Sequence, residues 1–292
     1  MKQTKTTKIA LVSLLTALSV VLGYYLKIGT PTGILTLLDA GIFCITTNAA
    51  IRELEGGSWV DGDPYAQGEA IAKLAAEAVP EGGTVGILNC MPGNFHTTSR
   101  YNAINKRDDV KIIGDYMEEE ATEAAAMATM EDWATSYGRI DCMLTTADLL
   151  GNGAYEAVKD DDTYDGMLVY SVDCLAKTVL EIKDGVYTAA VYQNPPALAA
   201  ANLKAAYDLL TGAETVVNTS VDSLLCTSDN VDQFIQMYID QGQITEDEAK
   251  SHGYEAGSTT SILDEQSDDS ESEETTEEAT DDSTEEAEKE AE

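Results

Sequence analysis

The chain has 292 residues, 17 Lys+Arg against 53 Asp+Glu, and a formal net charge of −36. That length holds one or two domains with a sizeable core. The charge excludes nucleic acid as a partner, because phosphate binding needs a basic surface.

Lys2, Lys5 and Lys8 precede an uncharged apolar run over residues 9–26. Its length meets the lower limit for a transmembrane helix. The basic residues place its N-terminal end in the cytoplasm, so the acidic chain that follows (Glu53, Glu55, Asp61, Asp63) faces outward. A cleaved signal peptide is the competing reading. A second apolar run, residues 34–51, is broken by Asp39. It is a second span or a re-entrant segment, but no basic cluster follows it, so one span is expected. Cys44 is preceded by the bulky Phe43, which argues against a lipidated cysteine. The stretch KTTKIALVSLLTALSVVLGYYLKIGTPTGILTLLDAGIF resembles the opening of the membrane substrate-capture subunits of energy-coupling-factor vitamin transporters, over residues 5–44. That resemblance implies a bundle of membrane helices, of which the rest of the sequence shows no sign.

Beyond this the pattern changes. YAQGEAIAKLAAEAV (65–79) reads as a helix, and TVGILNC (84–90) as a strand. FHTTSRYNAINKR (95–107) is helical, VKIIGDYM (110–117) strand-like, and ATEAAAMATMEDWATSYG (121–138) a helix that Gly138 ends. IDCMLTTA (140–147) is a buried-type strand, after which Asp148 is placed to cap the helix LLGNGAYEAVKD. GMLVYSVD (166–173), the helix from Cys174, YTAAVYQN (187–194) and the helix PPALAAANLKAAYDLLTG complete the series, with Pro195 and Pro196 in a first turn. Residues 230–249 fit an amphipathic helix and a short second turn. From Ser258 the chain is Ser, Thr, Asp and Glu-rich. Residues 264–292 alone carry 16 acidic residues and one lysine, Lys289. Such a tail buries too little apolar surface to offset its ordering entropy and is expected to be disordered.

Apolar strands alternating with helices predict an α/β fold with a parallel sheet and helices on both faces, preceded by a membrane helix. Three parts follow: residues 1–57 as membrane segment and connector, 58–245 as the α/β domain, and 246–292 as the acidic tail. Ligands of such sheets bind beyond the carboxyl ends of the strands. Asp148, Asp173 and Gln193 stand at those ends, and Arg100 lies in the helix after the first of them.

Five cysteines (Cys44, Cys90, Cys142, Cys174, Cys226) are far apart with no C-x-x-C pair, and His96 and His252 are well separated. No zinc site or disulfide scaffold is indicated, and the cysteines are read as small buried hydrophobes. Asp61-Gly-Asp63 lacks the rest of a calcium loop, and Gly151-Asn-Gly153 is no dinucleotide fingerprint. No P-loop, H-E-x-x-H or G-x-S-x-G is present, so the chain is not read as an enzyme, and no cofactor is expected.

The motifs DGDPYAQGEAIAKLAAEAVPEGGTVGIL, GNFHTTSRYNAI, TTADLLGNGAYEAV, VYSVDC and AAVYQNP, in that order, resemble the sugar-binding proteins that serve ABC importers, over Trp59–Gly212. The resemblance implies an extracytoplasmic domain that binds a sugar or polyol and delivers it to an ABC permease. It places ligand groups at Asp63, Arg100, Asp148, Asp173 and Gln193. Where the family carries a polar pair, only Asp148 remains, because Ala147 replaces the usual Asn. Phe95, Tyr65 and Tyr192 are candidate stacking faces for a sugar ring. Each residue also has a structural reading: Asp148 and Asp173 as helix caps, Arg100 as a surface residue, Gln193 in a turn, the aromatics in the core. The family's first lobe has no counterpart, so residues 195–227 are expected to find little to return to, and the cleft to be incomplete. A membrane substrate-capture subunit and a remnant that binds nothing are the alternatives.

Overall fold

The computed structural model describes residues 43–48 and 57–264. The expected membrane helix at 9–26, most of the energy-coupling-factor-like stretch and residues 265–292 of the expected acidic tail lie outside them, whereas the first part of that tail, 246–264, is described and holds the helix Glu246–Ser251 with Ala249 and Tyr254 buried. No helix among the described residues is long and apolar enough to cross a membrane. Part of the second apolar run is described, and it is a strand: Ile45–Thr47 forms β1. The span reading does not hold there, because β1 pairs in parallel with β2, Ser58–Gly62.

The described residues fall into two compact units. The first comprises residues 43–48, 57–64, 93–96 and 193–223. It contains a three-stranded parallel sheet, β1-β2 plus the later strand Asn218–Val221, which pairs with β2 from Trp59↔Asn218 to Gly62↔Val221. The helix Pro195–Thr211 belongs to this unit. Asn194 caps it, its Oδ1 accepting the Ala197 N–H at 3.4 Å, and Pro195 and Pro196 fill the first turn. The chain from 195 therefore does return to a sheet, contrary to expectation.

The second unit comprises residues 65–92, 97–192 and 224–264. Its elements run α1 (Pro64–Ala78), β3 (Thr84–Cys90), α2 (Phe95–Asn105), β4 (Lys111–Glu118), α3 (Glu123–Tyr137), β5 (Cys142–Thr145), α4 (Asp148–Val158), β6 (Leu168–Asp173), α5 (Ala176–Lys183) and β7 (Ala189–Tyr192). After the helix at 195–211 (α6) and the strand at 218–221 (β8) come β9 (Leu224–Thr227), α7 (Val231–Asp240) and α8 (Glu246–Ser251). The sheet order is β4-β3-β5-β6-β7-β9. The first five strands are mutually parallel, as expected. The edge strand β9 is antiparallel to β7, which the sequence did not reveal.

Alternation along the strands builds two cores. Val85, Ile87, Cys142, Leu144, Tyr170, Val172, Ala189 and Val191 pack with Ile71, Ala72 and Ala75 of α1 and Ile104 of α2. Leu88, Met143, Val169, Ala190 and Tyr192 point the other way, toward α3, α4, α5 and α7. This two-sided burial is what continuous apolar strands require. Glycine supplies the space for the Trp133 indole: a Cβ on Gly114 would lie 3.0 Å from Trp133, and one on Gly86 2.9 Å from it.

Candidate functional site

The switch point of the larger sheet lies between β3 and β5, since β3 is followed by β4 on one side and β5 on the other. Crossovers leaving in opposite directions open a crevice at the carboxyl ends of those strands. Strained backbone gathers at the strand ends. Among the described residues, the non-glycine positions with positive φ are Asn48, Met91, Asp173, Cys174 and Asn194, and each ends or soon follows a parallel strand. Such conformations cost free energy and persist where surrounding structure enforces them.

Arg100 is the pivot of this region. It is only 4% exposed, so it is not a surface residue of α2. Its Nε donates to Gln67 Oε1 at 2.9 Å, and its Nη1 donates to the Thr146 carbonyl at 2.9 Å. Nη1 also stands 3.9 Å from Asp173 Oδ1. A guanidinium can serve several acceptors at once because its donors are fixed in one plane. The close approach of α1 to α2 makes the arrangement possible: a Cβ on Gly68 would lie 2.3 Å from the Arg100 carbonyl oxygen. Asp173 has a φ of 122°, and its side chain is 28% exposed. The pair thus offers a held cation beside an accessible carboxylate.

Asp148 is placed differently. It is 0% exposed and is the first residue of α4, so it does not cap that helix; Ala147 holds the cap position, with no side-chain hydrogen bond. Its Oδ2 accepts the Leu175 N–H and the Thr178 hydroxyl, both at 2.7 Å, and Oδ1 is in short contact with Ser171 Oγ. Burial, and then the charge of Asp173, push this carboxyl up to about 7; the three hydrogen bonds oppose the shift. The side chain is therefore internal and braces the β6–α5 turn.

Gln193 directly follows β7 and is half-buried, and Asp63 lies exposed between β2 and α1; both belong to the first unit or its boundary. In that unit the structure also shows a pair that sequence reasoning missed. His96 Nε2 lies 2.9 Å from Asp61 Oδ2 and 3.1 Å from Oδ1, with the two residues 8% and 2% exposed. Asp61 Oδ1 further accepts the Gly62 N–H at 2.8 Å. Gln67 and Thr146 were missed too, though both sit inside motifs quoted above. A further group at the strand ends is Asn89, whose Oδ1 accepts the Cys90 N–H and the Thr146 hydroxyl, both at 2.8 Å; its buried Nδ2 has no partner among the described residues.

The aromatic candidates divide. Tyr192 is core, packed edge-on against Phe234 and Tyr238 at centroid distances of 5.7 and 6.3 Å, so it is no stacking face. Phe95 is partly buried against His96, edge to face at 5.3 Å. Tyr65 is exposed, with Lys106 Nζ 4.9 Å from its ring centroid.

Residues 33–214, more than half of the chain, match the family model described as periplasmic binding protein domain. No curated protein matches. Among solved structures, the periplasmic ribose ABC transporter of Conexibacter woesei is similar with a TM-score of 0.66 at 16% identity, covering 70% of each chain. An ABC transporter solute-binding protein of Bacillus halodurans with bound myo-inositol gives 0.63 at 20% identity, covering 70% of this chain and 72% of that one. The Caulobacter myo-inositol binding protein gives 0.61 at 23%, covering 68% and 70%. These likenesses establish the shared fold. The family model, over more than half of the chain, shows that the chain belongs to the periplasmic binding protein domain family.

Proposed function

We propose that this protein binds a sugar or polyol outside the cytoplasm and presents it to the permease of an ABC importer. The carrying observation is the Arg100–Asp173 arrangement at the carboxyl ends of the strands beside the switch point. Sugar hydroxyls both donate and accept. Asp173 accepts hydroxyl protons, and Arg100 donates to hydroxyl oxygens, with charge-assisted bonds stronger than neutral ones. Gln67 and the Thr146 carbonyl hold the guanidinium in place, so little side-chain entropy is lost on binding. Asp63 and Gln193 are ligand candidates on the strength of their motifs alone, and Asp148 acts through the turn it braces. The solved relatives with bound myo-inositol or D-allose support polyhydroxylated rings as the ligand class. The apolar run at 9–26 serves as the membrane anchor in this reading.

The test is a melting-temperature screen of the full-length chain in detergent against myo-inositol, allose, ribose, glucose and galactose. Binding at a hundredfold excess over Kd stabilises by about 2.7 kcal/mol, a shift of several degrees. If none of these compounds moves the midpoint, the reading fails and a chain that binds no sugar is the conclusion.

A further inference from the structure

Strand β3 holds its two neighbours over different lengths. On the β4 side it is paired to its last residue, Cys90↔Glu118, and the Met91 N–H still donates to the Glu118 carbonyl at 2.9 Å. On the β5 side pairing stops at Leu88↔Thr145, where the Thr146 N–H donates to the Leu88 carbonyl at 3.1 Å. In a parallel ladder the next rung would join the Cys90 N–H to the Thr146 carbonyl. Both groups are engaged elsewhere. The Cys90 N–H donates to Asn89 Oδ1 at 2.8 Å, and the Thr146 carbonyl accepts Arg100 Nη1 at 2.9 Å. The Thr146 hydroxyl also donates to Asn89 Oδ1, at 2.8 Å, so two donors fix that side chain. A backbone N–H can only donate, so the amide oxygen and not its nitrogen faces Cys90. Asn89, Cys90, Thr146 and Arg100 are all buried, which removes water as a substitute partner.

We propose that Asn89 is a positioning residue for the sugar-binding cation. By taking the Cys90 N–H it ends the β3–β5 ladder one rung early and leaves the Thr146 carbonyl to hold Arg100. Closing the rung draws that carbonyl toward β3 and away from α2, which carries Arg100. Asn89 Nδ2 has no partner among the described residues, so the contribution of the side chain lies in its oxygen. The ligand role of Arg100 rests on the function proposed above; the early end of the ladder does not.

Hydrogen exchange at two sites of the full-length chain in detergent, read by heteronuclear NMR without sugar, tests the proposal. The Arg100 Nε–H, which donates to Gln67, is the signal that Arg100→Lys removes. In Asn89→Ala, and in Asn89→Val where a β-forming side chain keeps the strand, this Nε–H should exchange roughly tenfold faster. The Cys90 amide should stay protected in both variants, because the Thr146 carbonyl takes it. Asn89→Asp keeps an acceptor for both donors and should leave both sites as in the wild type. An unchanged Arg100 signal in the alanine and valine variants would overturn the proposal. So would loss of protection at both sites together, which marks general loosening. With a sugar from the screen above, affinity should fall roughly tenfold in the alanine and valine variants and be retained in Asn89→Asp. If no sugar binds, the proposed function fails, while the exchange rates still decide the role of Asn89.

Discussion

Asp148 Oδ2 accepts the backbone N–H of Leu175 at 2.7 Å, so a carboxyl group at the start of one helix anchors the turn that opens the next. The same oxygen takes the Thr178 hydroxyl, and Oδ1 meets Ser171 Oγ. The Ser171 contact works in either direction. The hydroxyl donates to a carboxylate, or a protonated carboxyl donates to the hydroxyl.

From this reversibility, Asp148→Asn and Asp148→Ala should part company. The amide keeps an acceptor for Leu175 and Thr178 and a donor for Ser171, and should cost no more than about 1 kcal/mol. Alanine strands the part-buried Leu175 N–H and two buried hydroxyls and should cost about 3 kcal/mol. Denaturant unfolding of the full-length variants measures both; equal losses would contradict the buried-brace role.

A pH dependence follows from the same group. Its carboxyl sits at about 7 in the folded chain, against about 3.9 when unfolded. Between those values the folded state binds more protons than the unfolded state. The contribution of Asp148 to stability is therefore full below about pH 4, falls as pH rises through 7, and is constant above. The stability difference between wild type and Asp148→Asn, followed from pH 4 to 8, should shift in favour of the variant as pH rises. A flat difference would place the folded value near that of an ordinary carboxyl.

Arg100→Lys tests the held cation. An ammonium cannot reproduce the planar donors that reach Gln67 and Thr146 together. Sugar affinity should fall at least tenfold, about 1.4 kcal/mol, by titration calorimetry with whichever sugar the screen identifies. Unchanged affinity would remove Arg100 from the ligand set.

Gly68→Ala tests the seat beneath it. The new methyl group would lie 2.3 Å from the Arg100 carbonyl oxygen and 2.7 Å from its Cα, both backbone atoms that cannot swing aside. The helices α1 and α2 must separate, at a cost of roughly 1–3 kcal/mol, and Arg100 moves with them. Both the melting temperature and the sugar affinity should drop.

His96→Ala removes the imidazole from the buried Asp61 carboxylate. Removing one partner of a buried hydrogen-bonded pair costs about 1–3 kcal/mol, so the variant should unfold at lower denaturant. A loss within about 0.5 kcal/mol, the range of ordinary surface substitutions, would show that the contact contributes little.

The sequence by itself determined the elements and their order. Continuous apolar runs marked β3 to β7, Gly138 and the Pro195-Pro196 pair marked helix ends, and the observed strand Thr84–Cys90 coincides with the predicted one. It also picked out the strand-end residues, because polar side chains after apolar runs are visible locally. Only the tertiary structure separated their roles. Asp148 and Asp173 look alike in sequence, each closing or following a strand, yet one is sealed behind three hydrogen bonds and the other lies near Arg100. Gln67 with Arg100, and Asp61 with His96, are pairs more than thirty residues apart. The antiparallel β9 and the parallel return of β8 likewise depend on which edge each strand meets. Propensity and periodicity act over a few residues, whereas burial and hydrogen-bond partners are set by which chain segments the packed sheet brings side by side.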